Sequence, residues 1–258
     1  VTTVSPTYAK EILTEKFGEG LDGVLRNRRA DLIGILNGAD YQQWRTTNNK
    51  FLPSEFSSAN LTGKYKNKLL IRKEFELPSK GKRTPIYSFI GRLAHQKGIH
   101  LLLETLPHLL SKYKIQFMLL GTGDPYLENE CHQIASQFPN QIRILTEYNE
   151  SLAHRIKAGS DFLLMPSLYE PCGLNQMYSL RYGTIPIVNA VGGLNDSITD
   201  INKYPRFGNG FKITQLNKKS LSNAISRSIK LYSNPNKLIR IRKRVMKIDF
   251  SWNKGANR

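Results

Sequence analysis

Cysteine is scarce in this 258-residue chain: there are two, Cys131 and Cys172, with no Cys-x-x-Cys pair and no Cys/His ligand spacing. A disulfide framework and a structural zinc are both excluded as organising devices. Long apolar runs are lacking too. None approaches the roughly 20 residues of a membrane helix, so no membrane partner is expected. The sparse cysteines point to a reducing, cytoplasmic setting, and without a charged-then-apolar leader secretion has no sequence support; the start at Val1 rather than Met points to a fragment or processed product. No Asp-x-Asp occurs and no His/Asp/Glu cluster, so metal-dependent phosphate chemistry lacks its usual ligands and no metal site is expected.

Acidic residues are also few, 20 against 38 Lys and Arg, which leaves a net charge of +18. The excess reads either as lysine accumulated on a solvated surface or as the complement of a phosphate-bearing small molecule. Nucleic acid is the weakest partner, because no RNA-recognition, KH or zinc-finger pattern is present. The basic residues are spread out, apart from a cluster at 26–29 and a tail at 237–247. Composition is otherwise that of a globular domain, with 40% hydrophobic and 22% charged residues.

The middle of the chain has a clear rhythm. Short runs rich in Ile, Phe, Val and Leu at 86–90, 115–120, 142–145, 162–165, 185–189 and 210–213 predict strands. Amphipathic stretches at 100–112, 126–138, 150–158, 174–182 and 220–232 predict helices between them. Strands apolar on both faces, each followed by a helix, indicate an α/β domain with a doubly wound parallel (Rossmann-like) sheet of about six strands. Outside this rhythm, Ser5-Pro6 is a helix start, 32–36 a short strand ending at Asn37-Gly38, and 57–75 a helix in a Lys-rich region. Gly81-Lys82-Arg83 leads into the first sheet strand. The basic tail 237–247 reads as a helix with a solvated face, or as one for a membrane surface or nucleic acid.

Ligands of open α/β sheets sit beyond the carboxyl ends of the strands. After the first strand comes Gly91-Arg92-Leu93-Ala94-His95-Gln96-Lys97-Gly98. Arg92 and Lys97 at a helix start do not complement its dipole, but suit an anion that the helix start also attracts. After the second strand, Gly121-Thr122-Gly123 is a nucleotide turn or a plain strand-to-helix turn; it is not a full Gly-x-Gly-x-x-Gly. After the fourth strand, Glu170-Pro171-Cys172-Gly173-Leu174-Asn175 sets a carboxylate beside a helix start. Cys172 has no nearby His partner and reads as a small residue in the site wall. Val191-Gly192-Gly193 precedes another helix, with Asp196 as dipole complement or ligand contact. His154 reads as a surface histidine. Together these loops suit a phosphate-bearing ligand plus one carboxylate.

The same residues resemble the C-terminal half of the glycogen/starch synthases. The resemblance is carried by Gly91-Arg92-Leu93 with Gln96-Lys97-Gly98, by Pro166-Ser167 with Glu170-Pro171-Cys172-Gly173-Leu174, and by Tyr182-Gly183-Thr184 and Gly192-Gly193-Leu194. Flanking pieces agree: 3–9, Leu36-Asn37-Gly38 with Asp40, and Asp249-Phe250-Ser251-Trp252. What it implies is the C-terminal domain of a GT-B retaining glycosyltransferase that moves glucose from ADP-glucose to the non-reducing end of an α-1,4-glucan. Glu170, Arg92 and Lys97 would be catalytic, with the two cations on the diphosphate and no metal or cofactor. Gly121, Tyr148, Cys172, Gly173, Leu174 and Asn175 would bind the donor, Tyr148 by stacking on the base.

By the resemblance, 1–34 would end an N-terminal Rossmann domain otherwise missing, 35–247 would be the nucleotide-sugar domain, and 248–258 would start a crossover tail. The departures are Asn175, where bacterial relatives carry Thr, and the absence of a Lys-x-Gly-Gly loop. Tyr178 stands where many retaining enzymes repeat a Glu. With half the cleft gone, the chain alone is expected to transfer glucose poorly or not at all. The other readings are a non-catalytic nucleotide- or glucan-binding remnant and a retaining glycosyltransferase with another donor.

Overall fold

The structure, a computed structural model, describes residues 1–78 and 84–256. Gly81-Lys82-Arg83 and the last two residues of the tail lie outside the described residues. Two short strands, β1 (Thr2–Thr3) and β2 (Ile33–Gly34), pair in parallel. The main sheet holds β3 (Ile86–Ile90), β4 (Gln116–Leu120), β5 (Ile142–Leu145), β6 (Phe162–Met165), β7 (Ile185–Asn189) and β8 (Phe211–Ile213). Its order is β5-β4-β3-β6-β7-β8, every pair parallel. That is the doubly wound pattern with its switch point between β3 and β6.

The helices in chain order are α1 (Pro6–Glu11), α2 (Asp22–Asn27), α3 (Thr62–Glu74), α4 (Ile99–Lys112), α5 (Pro125–Gln137) and α6 (Glu150–Gly159). They continue with α7 (Asn175–Arg181), α8 (Gly192–Ser197), α9 (Lys218–Tyr232), α10 (Pro235–Val245) and α11 (Trp252–Ala256). Local chemistry sets many of the starts. Ser5, Asp124, Asn149, Asn217 and Asn234 each cap a helix through the side chain, and Pro6, Pro125 and Pro235 open theirs.

The strands are apolar throughout because alternate residues serve two cores. Phe117 and Leu119 of β4 join the cluster under α4, α5 and α9, whereas Met118 and Leu120 join the one under α6 and Ile71 of α3. Each fully buried Leu or Phe contributes about 1.5–3 kcal/mol relative to exposure.

Three expectations change. The strand at 32–36 shrinks to the two residues of β2, and the helix at 57–75 starts at Thr62. The positive charge is not confined to a solvated surface. Lys64, Lys68 and Arg72 lie at i, i+4 and i+8 on α3 and all are buried. Lys64 Nζ donates to the carbonyls of Lys157 and Ala158 and to Thr184 Oγ1. Burial lowers its amine well below the ordinary lysine value. The basic tail likewise forms α10 with an inner face: Leu238, Ile241, Arg242 and Val245 are buried. Arg242 pairs with Asp161 at 2.5 Å, and Lys68 reaches the other oxygen of the same carboxylate at 2.5 Å.

Candidate functional site

The loops after β3 and β6 meet at the switch point. Lys97, in a one-turn 3-10 helix (His95–Lys97), donates from Nζ to Glu170 Oε2 at 2.6 Å. Ser167 Oγ donates to the same oxygen at 3.1 Å. The loops are clamped by backbone as well: Leu168 N donates to Gln96 O at 2.8 Å, and Gln96 Nε2 to Tyr169 O at 3.2 Å. Glu170 is thus a buried carboxylate with one cation and one hydroxyl. Gly193 N donates to the Glu170 carbonyl at 3.0 Å. Gly192 has φ +42°, and a Cβ there would stand 2.0 Å from that same carbonyl oxygen, so the glycine pair lets α8 seat under the carboxylate loop.

A cavity of about 480 Å³ opens at the ends of β3 and β4, lined by Gly91, Leu120, Thr122 and the start of α6 among others. Arg92, Gly121, Tyr148 and Asn175 all line it, so four of the nine expected site residues share one cleft. Arg92 is exposed, and among the described residues its guanidinium donates only to Gln96 Oε1, at 3.2 Å. Tyr148 is 88% exposed at the cavity margin. Asn175 opens α7 and ties it to the end of β3 by donating from Nδ2 to Ile90 O at 2.9 Å. At Gly121 a Cβ would meet Gly91 O at 1.8 Å, which makes this glycine a close-packed contact between the β3 and β4 loops.

Lys97 and Glu170 do not line this cavity; their pair is tied to it through Gln96, which accepts from Arg92 and donates to Tyr169 O. Gly173, with φ +68°, and Leu174 connect Glu170 to the start of α7. The Cys172 side chain faces a packed cluster with Ala39, Met177 and Tyr178, and burial pushes its thiol up. Asp196 accepts from Thr7 N and Thr7 Oγ1, at 2.8 and 2.5 Å, and so anchors α1 rather than facing a ligand. Among the described residues no three His, Cys, Asp or Glu side chains converge as metal ligands.

Sequence reasoning missed the inner wall. His154 is fully buried, not on the surface; its ring stacks on Trp44 at 3.9 Å, and Nδ1 lies 2.7 Å from Tyr182 Oη. Burial, then the nearby Lys157, lowers its pKa to about 4, so it is neutral near pH 7. Tyr178 stacks on Trp44 at 4.6 Å. Trp44 and Lys157 both line the cavity, and Lys157 Nζ lies 4.4 Å from the Trp44 ring centroid. The signal was available in part: Glu150, Ala153 and Lys157 are spaced i, i+3 and i+7, one face of a helix that starts at the cleft.

Lys157 is buried, its amine has no hydrogen-bond partner among the described residues, and burial lowers its pKa to about 7. The unfolded chain therefore holds more protons at this site between pH 7 and the ordinary lysine value of about 10.4, and stability rises with pH across that window. Lys157→Met is expected to stabilise the fold at pH 7 by about 1–3 kcal/mol. Urea denaturation at pH 7 and pH 10 checks this: the gap between variant and wild type should narrow at the higher pH.

Comparison with known proteins agrees along the chain. Residues 71–245 match the family described as Glycosyl transferases group 1, and residues 1–27 match the Starch synthase catalytic domain. The chain is 45% identical to a glycogen synthase of Nitrosococcus oceani over 99% of this chain and 52% of that one. It is 44% identical to a glycogen synthase of an Anaeromyxobacter species, over 99% and 53%. The catalytic domain of starch synthase IV from Arabidopsis thaliana, solved with ADP and acarbose, superposes with a TM-score of 0.95 at 40% identity. All of this chain and 53% of that one are covered. The chain spans about half the length of the curated relatives it matches.

Proposed function

The chain belongs to the group 1 glycosyl transferases, and from that premise we propose that it is the donor-binding half of a glycogen synthase. The enzyme transfers glucose from ADP-glucose to the non-reducing end of an α-1,4-glucan with retention of configuration. The observation that carries this is that Arg92 and exposed Tyr148 line one cleft, while Lys97, on the same β3 loop as Arg92, pairs with Glu170 of the β6 loop.

Arg92 grips the diphosphate with its fork of N–H groups, and Lys97 adds a point charge. As the bond from glucose to phosphate breaks, negative charge builds on the departing ADP. These fixed cations stabilise it, so neither a metal nor a cofactor is required. Glu170 contacts the glucose, held in place by Lys97 and Ser167. Gly173, Leu174 and Asn175 complete the phosphate and sugar contacts, and Tyr148 stacks on the base. The glucan hydroxyl attacks on the face the nucleotide leaves. The acceptor is held by an N-terminal domain beyond these residues, of which 1–34 is the end and to which the crossover tail from 248 returns. A cytoplasmic setting goes with this reading, and among the described residues no helix is long and apolar enough to cross a membrane.

Calorimetric titration of the 258-residue chain with ADP-glucose, ADP and UDP-glucose tests the proposal. Saturable binding with ADP ligands preferred is expected, with little or no glucose transfer to maltooligosaccharide by the chain alone. A folded chain that binds none of the three contradicts the donor assignment. Preference for UDP-glucose contradicts the base assignment.

A further inference from the structure

Lys157 takes no part in the transfer chemistry, yet it lines the donor cleft. Ile90, Leu120, Ala153 and Trp44 make the wall around it apolar, suited to a flat heteroaromatic ring. Among the described residues, Lys157 alone of the cavity-lining side chains carries a buried polar atom without a hydrogen-bond partner. Its contact with the Trp44 ring is a cation–π approach and leaves the N–H groups unpaired.

Helix geometry directs this side chain toward the cavity mouth. Lys157 lies seven residues beyond Glu150, about 10 Å along the axis of α6. Side chains on a helix lean toward its N-terminus, which here is the end next to Tyr148. A base stacked on Tyr148 and reaching inward would meet an amine already stripped of water. Buried unpartnered polar groups in native proteins are rare and costly, so one retained at a binding cleft calls for a ligand that completes it.

We propose that Lys157 is a donor-binding residue that hydrogen-bonds the edge of the nucleobase, completing from the helix α6 wall the site that Tyr148 begins. The inference rests on the donor-site reading above. Every nucleobase edge carries ring or carbonyl acceptors that an amine can reach. The burial that holds this amine near neutrality also leaves it a lone pair with which to accept from an exocyclic amino group.

The test compares two ligands on three proteins: ADP and ribose 5-diphosphate, which lacks the base, on wild type, Lys157→Met and Arg92→Ala. Methionine keeps the length and apolar packing of the stem. Lys157→Met should weaken ADP about tenfold, one lost hydrogen bond, and leave ribose 5-diphosphate unchanged. Its thermal midpoint should rise over the same preparation, so lost affinity cannot be ascribed to a damaged fold. Lys157→Leu serves as a second apolar replacement with the same expected ratio. ADP binding that depends on Arg92 and ignores Lys157 overturns this inference alone. Equal losses on both ligands assign the amine to the ribose or diphosphate and overturn it too. A wild-type chain that binds neither ligand overturns the donor reading and the inference with it.

Discussion

Arg92→Ala weakens ADP binding by about 30- to 100-fold, the value of a charge-assisted, bidentate phosphate contact. The same variant leaves thermal stability nearly unchanged. Both halves follow from the geometry. Arg92 is exposed and among the described residues its guanidinium makes one hydrogen bond, to Gln96, so the fold loses almost nothing with it. A guanidinium that does little for the fold and faces a cleft is free to serve an anion. Lys97 is a less separable case, because its removal leaves buried Glu170 with only the Ser167 hydroxyl. Lys97→Ala therefore mixes a binding loss with a local structural one. Titration calorimetry with ADP, alongside a melting curve, reads both quantities for Arg92→Ala. Unchanged ADP affinity would remove the anion from the β3 loop.

Asp161→Ala is expected to cost about 3–5 kcal/mol, a large share of a typical domain's stability. Asp161 stands just before β6 and is buried. Its carboxylate joins three elements: Lys68 of α3, Arg242 of α10 and the backbone N–H of Ile86 in β3. Removing it leaves two buried cations facing each other. Burial alone would raise the carboxyl's pKa, but Lys68 and Arg242 outweigh it and hold it at about 2. The unfolded carboxyl titrates near 3.9, so the stabilisation is complete above that value and is lost as pH falls toward 2. Urea midpoints from pH 7 down to pH 3 measure this. A variant as stable as wild type at pH 7 would show that the buried cations find other partners.

Much of this architecture can be read from the residues. The six sheet strands are visible because each is a short apolar run bounded by glycine or polar residues, and alternate side chains feed two cores. The loops carrying Arg92, Lys97 and Glu170 are visible because charge follows directly on a buried strand. The interior charge network is not. Lys64, Lys68 and Arg72 at helical spacing read like a solvated stripe, and the anion that answers Lys68 lies 93 positions further along. His154 was misread for the same reason: Trp44 and Tyr182, which bury it, are distant in sequence and meet it only through the fold. Asp196 reads in sequence as a dipole complement or a ligand contact, but its carboxylate accepts from Thr7, 189 positions earlier in the chain.

The most direct test of the donor site is a crystal structure of the 258-residue chain with ADP. The account predicts the diphosphate between Arg92 and Lys97, the base against Tyr148, and the Lys97–Glu170 pair lengthened as the lysine turns to phosphate. ADP seated elsewhere, with the Lys97–Glu170 contact intact and Arg92 still on Gln96, would contradict it.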